Sequence, residues 1–404
     1  MASQSARATE DSIAKLAQDP ACARALAWIA SNSDWLTDQQ IRLAEIPAPE
    51  FHEAARGQFL KNLFEAAGLP VHTDSTGNVI AERAGADPAA ILLVAHLDTV
   101  FPAGTDLRVK RDGMRLLGPG ISDNAAGLAA LVGLSRALAE SAIRTTKTIL
   151  LVGDVGEEGE GNLRGIRALV ESHGPRIAAV IAVDGPSSDY IATQAIASRR
   201  LEVTVTGPGG HSWSDFGAPN PITALSRGIV RFSSIRHPKG PRSTFNFGAI
   251  EGGTTVNSIP ARVTVKVDLR SEDANELARL EATLRTAMQT GVRDEISAVS
   301  AATDALLVNF HSLGDRPSGK LPNNSPLLAT IRDVDLFLGI SPRLESSSTD
   351  ANIPLSLGIP AVALGAGGTG GGSHTFAEWY DPTGRALGLQ RLFLIAVALA
   401  GLDH

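Results

Sequence analysis

The stretch Lys147–Glu158, KTILLVGDVGEE, passes from an unbroken apolar run to two adjacent glutamates within a few residues. Unbroken Val/Ile/Leu runs of this length belong to strands buried on both faces, as in the parallel sheet of an α/β domain. Two further runs have the same character, AAILLVAHLD at 89–98 and AAVIAVDG at 178–185, and a fourth, GIPAVALGAGG, follows at 358–368. The run at 89–98 carries His96 and Asp98 at its end, the one at 147–158 ends in Glu157 and Glu158, and the one at 178–185 reaches Asp184. Ligands of an open parallel sheet sit just beyond the carboxyl ends of its strands, so these side chains converge on one place. Asp154, Glu157, Glu158 and Glu160 crowd negative charge into one glycine-rich loop, which requires a positive counter-charge nearby.

The chain has 404 residues, of which 43% are hydrophobic and 20% charged. Single cores stop growing above roughly 250–300 residues, so two domains are expected. A net charge of −7, from 36 basic against 43 acidic residues, argues against a nucleic-acid or acidic-membrane partner. The single cysteine, Cys22, excludes an intramolecular disulfide and a cysteine-based metal cluster, and it suits a reducing compartment. The first residues lack the apolar core of a signal peptide, and no stretch approaches the roughly 20 apolar residues that span a bilayer. A cytoplasmic protein is expected.

Helical spacing marks DWLTDQQIRLAEI and EAARGQFLKNLFEAAGL. From about 200 to 310 the pattern changes in kind. RRLEVTVTG and ARVTVKVDLR alternate apolar and polar, as antiparallel strands with one covered face do. With the helical segments PITALSRGIVRFSSI and DANELARLEATLRTAM, and strands at STFNFGAIEGG and ISAVSAATDALLVNF, the order is βαββαβ, a ferredoxin-like module. The expected organisation is an α/β domain in two parts, 1–199 and 312–404, interrupted by an inserted module at 200–311.

Two more segments offer ligands. Asp123 precedes the helical pattern NAAGLAAL, and His374 follows the glycine-rich loop after the late strand. Each candidate has an ordinary reading by itself: a helix cap for Asp123, a turn former for Asp184, a hydrogen-bonded structural residue for His96. GAGGTGGG lacks the Gly-Lys-Ser/Thr of a phosphate loop, and GEGNLRG misses the dinucleotide spacing. Five nitrogen or oxygen donors at strand ends and a helix start are not explained separately. Histidines with carboxylates and no cysteine suit zinc, and also cobalt or manganese. Asp123 as a bridge, Glu158 and His374 on one metal, and His96 and Asp184 on the other would fill two sites. Glu157 would then stay free beside the water between them. Asp98, two residues from His96 on an extended chain, would fix the imidazole tautomer.

HLDTV, GISDNAAGLAAL, GEEGEGNLRG, VDGP, GPGGHS, TVNSIPARVTVKVDLR, STDANIPLSLGIPAVALG and SHTFAEWYD occur in this order between about residues 40 and 400. Together they resemble the di-zinc exopeptidase and amidohydrolase family of peptidase T, carboxypeptidase G and aminoacylase. The resemblance implies a zinc-dependent exopeptidase-type α/β domain, mostly parallel sheet flanked by helices, with an inserted ferredoxin-like lid and dimerisation domain. It gives the same metal ligands, His96, Asp123, Glu158, Asp184 and His374, places Glu157 as general base and sets Asp98 behind the first histidine. It makes His211 a lid histidine that in a homodimer holds the reacting carbonyl oxygen of the partner's site. Asn257 and Arg270 fall at positions that grip substrate polar groups, often a carboxylate. It also implies a cis Asp123–Asn124 peptide. The implied activity is hydrolysis of a small peptide by a peptidase T-like aminopeptidase or dipeptidase. The alternative on the same scaffold is an N-acyl-amino-acid or carbamoyl amidohydrolase. A catalytically silent relative would show a broken ligand or base position, and none is broken. A dinuclear phosphoesterase leaves Asn257 and Arg270 without a purpose.

Overall fold

The structure is a computed structural model and describes residues 12–235, 240–299 and 306–403. The chain divides into two compact units: one runs to Ala195 and resumes at Gly319, and the other is Ile196–Ser318.

The first unit is built on a nine-stranded mixed sheet. At its centre, Asp87–His96 pairs in parallel with Lys147–Asp154 on one side and Ile177–Val183 on the other, and Ala361–Leu364 continues the parallel set beyond Ile177–Val183. These are the four unbroken apolar runs, and they are buried on both faces because helices cover the sheet. The outer strands run antiparallel: Val79–Arg83 lies against Lys147–Asp154, and Tyr190–Ala195 against Ala361–Leu364. All four central strands therefore point their carboxyl ends the same way.

Among the covering helices, Ala125–Ser141 is buried along most of its length. Asn124 caps it, with Oδ1 accepting the Gly127 N–H at 3.0 Å. Gly127 allows this helix start to press on the strand end at Val183, since a Cβ there would collide with the Val183 carbonyl oxygen. The turn after Lys147–Asp154 depends on glycine as well. Gly156 and Gly159 adopt φ of 70° and 46°, so Glu157 and Glu158 leave the strand alternation that would send them to opposite faces.

The second unit has four antiparallel strands in the order Ser243–Gly252, Arg262–Ser271, Ala197–Thr206, Leu307–Arg316, with helices Pro221–Ser233 and Ala274–Ala298 between strands in the chain. Val263, Val265, Val267 and Leu269 alternate into a core shared with Leu201, Val203, Leu280 and Leu284. One expectation shifts. The second helix continues to Ala298, so Ile296 is helical and the last strand begins at Leu307. Its buried positions Leu277, Leu280, Leu284, Met288, Val292 and Glu295 keep helical spacing past Met288, and burial carries the helix on. Residues 300–305 of that expected strand lie outside the described residues.

Candidate metal centre

His96 ends its strand almost fully buried. Its Nε2 stands 3.2 Å from Asp123 Oδ1 and 3.9 Å from Asp184 Oδ1. Its Nδ1 lies 3.0 Å from the Asp98 carbonyl oxygen and 3.8 Å from the Asp98 carboxylate. A hydrogen bond to a carbonyl oxygen puts a proton on Nδ1 and directs Nε2 at the acids. The buried Asp98 carboxylate meanwhile accepts the backbone N–H of Glu157 at 3.1 Å and of Glu158 at 2.8 Å. One residue thus orients the imidazole through its carbonyl and holds the glutamate turn through its side chain.

Asp123 sits in the loop before helix Ala125–Ser141, and the Asp123–Asn124 peptide is cis. Its second oxygen, Oδ2, is 3.3 Å from His374 Nε2, and that nitrogen is 2.8 Å from Glu158 Oε1. Each Asp123 oxygen therefore faces one histidine. Donor atoms of His96, Asp123 and Asp184 lie within 4.8 Å of one another, and so do those of Asp123, Glu158 and His374. The two groups share Asp123. A third such grouping, His96 with Glu157 and Glu158, brings Glu157 to the edge of both.

The electrostatics are those of a cavity holding too much negative charge. Burial pushes the Glu158 carboxyl up to about 7 and raises Asp184 well above the carboxylate range, the Asp123 charge adding to the latter. Burial opposes charge on His96, but the hydrogen bond to Asp123 and the charges of Asp98, Asp123 and Asp184 overcome it and hold its pKa well above the usual value. Hydrogen bonds to Asp123 and Glu158 lift His374 to about 10. Burial works against the Asp123 charge too, yet the two histidines keep its carboxyl below its ordinary range. The acids that face each imidazole favour its charged form, and a cation bound among those acids would compete with that proton. The hard-to-borderline N/O donors in two groups with a shared carboxylate fit two divalent metal ions.

Several supporting residues were not distinguishable in the sequence. Glu378 accepts the N–H groups of Gly120, Ser122 and Asp123 and the Ser122 hydroxyl, all at 2.8 Å, and so sets the Asp123 loop. Asn124 Nδ2 donates to the Val183 carbonyl at 2.9 Å, tying that loop to the Asp184 strand end. Glu50 accepts the N–H of Glu160 at 2.7 Å and of Gly161 at 3.1 Å, bracing the glutamate turn from its far side. A glutamate four positions after His374 was the one available signal for Glu378, and glutamates at such spacing are common in loops.

The second unit brings two more expected residues together. His211 pairs across a short ladder with Ser258, and Ser212 N–H donates to the Asn257 carbonyl at 3.0 Å. His211 Nδ1 accepts the N–H of Trp213 at 3.2 Å and of Ser214 at 3.3 Å, so the ring proton resides on Nε2. The Asn257 Oδ1 accepts the Thr255 hydroxyl at 2.9 Å, which leaves its amide N–H groups as the outward donors. Arg270 lies elsewhere on this unit, on strand Arg262–Ser271, where its Nε donates to Asp268 at 2.7 Å.

Residues 92–396 match the family described as peptidase family M20/M25/M40. The chain is 25% identical to protein YqjE of Bacillus subtilis (strain 168) over 362 residues, 83% of this chain and 91% of that protein. It is 27% identical to carboxypeptidase G2 of Pseudomonas sp. (strain RS-16) over 231 residues, 54% of each. Aminopeptidase PepT of Bacillus cereus ATCC 10987 has the same fold, with a TM-score of 0.70 at 22% identity, covering 92% of this chain and 99% of that one. With the match spanning most of the chain and a two-group metal centre at the strand ends, the protein belongs to peptidase family M20/M25/M40 and is a metal-dependent hydrolase of amide bonds.

Proposed function

We propose that this hydrolase cleaves small peptides as a peptidase T-like aminopeptidase or dipeptidase. In this reading His96 and Asp184 would hold one metal ion, Glu158 and His374 the other, and Asp123 would serve both. The observation that carries it is the Asp123 carboxylate, with one oxygen 3.2 Å from His96 and the other 3.3 Å from His374. The donor set suits zinc first, with cobalt and manganese as substitutes. When bound, such ions acidify water and polarise the scissile carbonyl. Glu157, buried and not needed as a ligand, takes the proton of the attacking water and returns it to the leaving amine. Asp98 keeps Glu157 in place by holding its backbone N–H. His211 offers its Nε2–H to the developing oxyanion, and Asn257 and Arg270 bind substrate polar groups, Arg270 a carboxylate.

In the same reading the second unit serves as a lid and pairs two copies into a homodimer. Its sheet ends on two edge strands, Ser243–Gly252 and Leu307–Arg316, and edges of this kind pair readily. Among the described residues no helix is long and apolar enough to cross a membrane, and the one cysteine is a free, buried thiol. The lone reduced thiol suits work on a small substrate in the cytoplasm.

The test is turnover after chelation and metal return, on di- and tripeptides beside N-acyl and N-carbamoyl amino acids, with metal content measured in parallel. Peptide cleavage restored by about two ions per chain is expected. Faster turnover of the N-acyl or N-carbamoyl compounds would move the reading to an amidohydrolase. Sedimentation at monomer mass would remove the dimer, and with it a His211 acting on the partner's site.

A further inference from the structure

On strand Arg262–Ser271 the odd positions Val263, Val265, Val267 and Leu269 enter the core of the second unit, so Asp268 and Arg270 stand together on the opposite sheet face. Register places Arg270 between Thr244 and Ser198, and Asp268 between Asn246 and Arg200. Asp268 accepts the Arg270 Nε–H on Oδ2 at 2.7 Å, and its Oδ1 is 3.7 Å from Arg200 Nε. Two guanidiniums therefore meet one carboxylate.

A guanidinium binds a carboxylate in two ways, through its Nε side or through the pair of terminal nitrogens. Asp268 occupies the Nε side. The Arg270 side chain is 43% exposed, and its terminal pair remains for a second anion. An arginine tied at Nε has lost most of its rotamer freedom before substrate arrives, so less entropy is spent on binding. The cost is a like charge behind the substrate carboxylate, which Arg200 offsets.

We infer that Asp268 is a positioning residue: it clamps Arg270 through Nε and presents the two terminal nitrogens as a fixed fork for the free carboxylate of the substrate. The inference rests on the reading of Arg270 as a carboxylate binder. It narrows the substrate class to compounds with a free carboxylate at the end Arg270 reaches, and it gives Asp268 an effect on KM rather than on the chemical step.

The experiment compares one peptide from the turnover panel with its C-terminal amide, using metal-loaded enzyme and the variants Asp268→Ala, Asp268→Asn and Arg270→Ala. Asp268→Ala should raise KM for the free acid about tenfold, the usual weight of a charge-assisted hydrogen bond, with kcat nearly unchanged and the amide unaffected. Asp268→Asn keeps an oxygen acceptor for Nε and should recover most of the loss. Unchanged or lower KM for the acid in Asp268→Ala overturns the inference, since Asp268 would then be idle or a competitor. A rise of equal size for acid and amide overturns it too, because that is a structural effect. Should Asp268→Ala fail to fold, Asp268→Asn is decisive by itself: a small rise confined to the acid supports the clamp, and any other result removes it. If Arg270→Ala harms acid and amide alike, the carboxylate reading of Arg270 falls and takes the clamp with it. If Arg270→Ala is acid-selective while Asp268→Ala is silent, only the clamp falls.

Discussion

Glu157 and Glu158 are neighbours of one residue type to which the proposed reading gives separate tasks, and the difference lies in their surroundings. Asp98 holds both backbone N–H groups, but the Glu158 side chain reaches His374 while that of Glu157 groups with His96 at the edge of the donor set. Glu157→Gln should keep two metal ions by elemental analysis yet lose about 10²–10⁴-fold in turnover, the weight of a general base. Near-normal turnover would end the assignment. Asp154, three residues before, has a different consequence. Burial pushes its carboxyl up to about 8, and Asp350, also raised by burial, lies among its acidic neighbours. The folded chain keeps this proton where the unfolded chain releases it near pH 4, so stability falls as pH rises from about 4 to about 8. Asp154→Asn has no proton to lose. In chelated protein the melting temperature should drop less between pH 5 and pH 8 for this variant than for the parent, and parallel drops would contradict the argument. The candidate ligands His96, Glu158 and Asp184 stand out in the sequence because they close apolar runs, and Asp123 because it precedes a helix. Asp154 reads in sequence as one more acid in a loop, and its burial depends on strands far away in the chain.

At the scale of elements, the site rests on loops that are tied to each other more than to their own strands. The Asp123 loop is held by Glu378, from a segment more than 250 residues later in the chain. Glu378→Ala would orphan four donors aimed at one carboxylate, each costing about 1–3 kcal/mol where water does not replace it. Metal affinity should fall about 10–100-fold, as it does when a ligand loses its support. A metal titration giving parental affinity would show that the loop holds its shape without Glu378. The strands themselves were legible. Continuous apolar runs gave the parallel centre, and alternation gave the antiparallel sheet, because each pattern records whether one face or two is covered. The long helix Ala274–Ala298 was read short, since Gly291 and the polar residues around it weaken a pattern that packing against the second unit's core sustains.

For the whole molecule, metal binding at such a centre should bear on stability as well as on chemistry. Chelation strips the counter-charge from a buried group of acids, so it should abolish turnover and lower the melting temperature. Ions bound only by the folded chain then raise the unfolding free energy with concentration, by about 2.7 kcal/mol per site at a hundredfold excess over Kd, and the melting temperature with it. Equal melting temperatures with and without metal would mean the protonated histidines suffice. Sequence patterning alone determined the two kinds of sheet and the place where candidate ligands gather, because burial and strand direction leave periodic marks in the chain. Only the tertiary structure decided which partners each buried polar group has. The bridging position of Asp123 between two histidines is one case. The fully buried pair Arg391 and Asp335, at 2.6 Å between helices Pro326–Leu338 and Arg385–Ala400, is another. Such contacts are made by residues whose spacing along the chain carries no signal, and a buried polar group takes whatever partner the fold brings within hydrogen-bond reach.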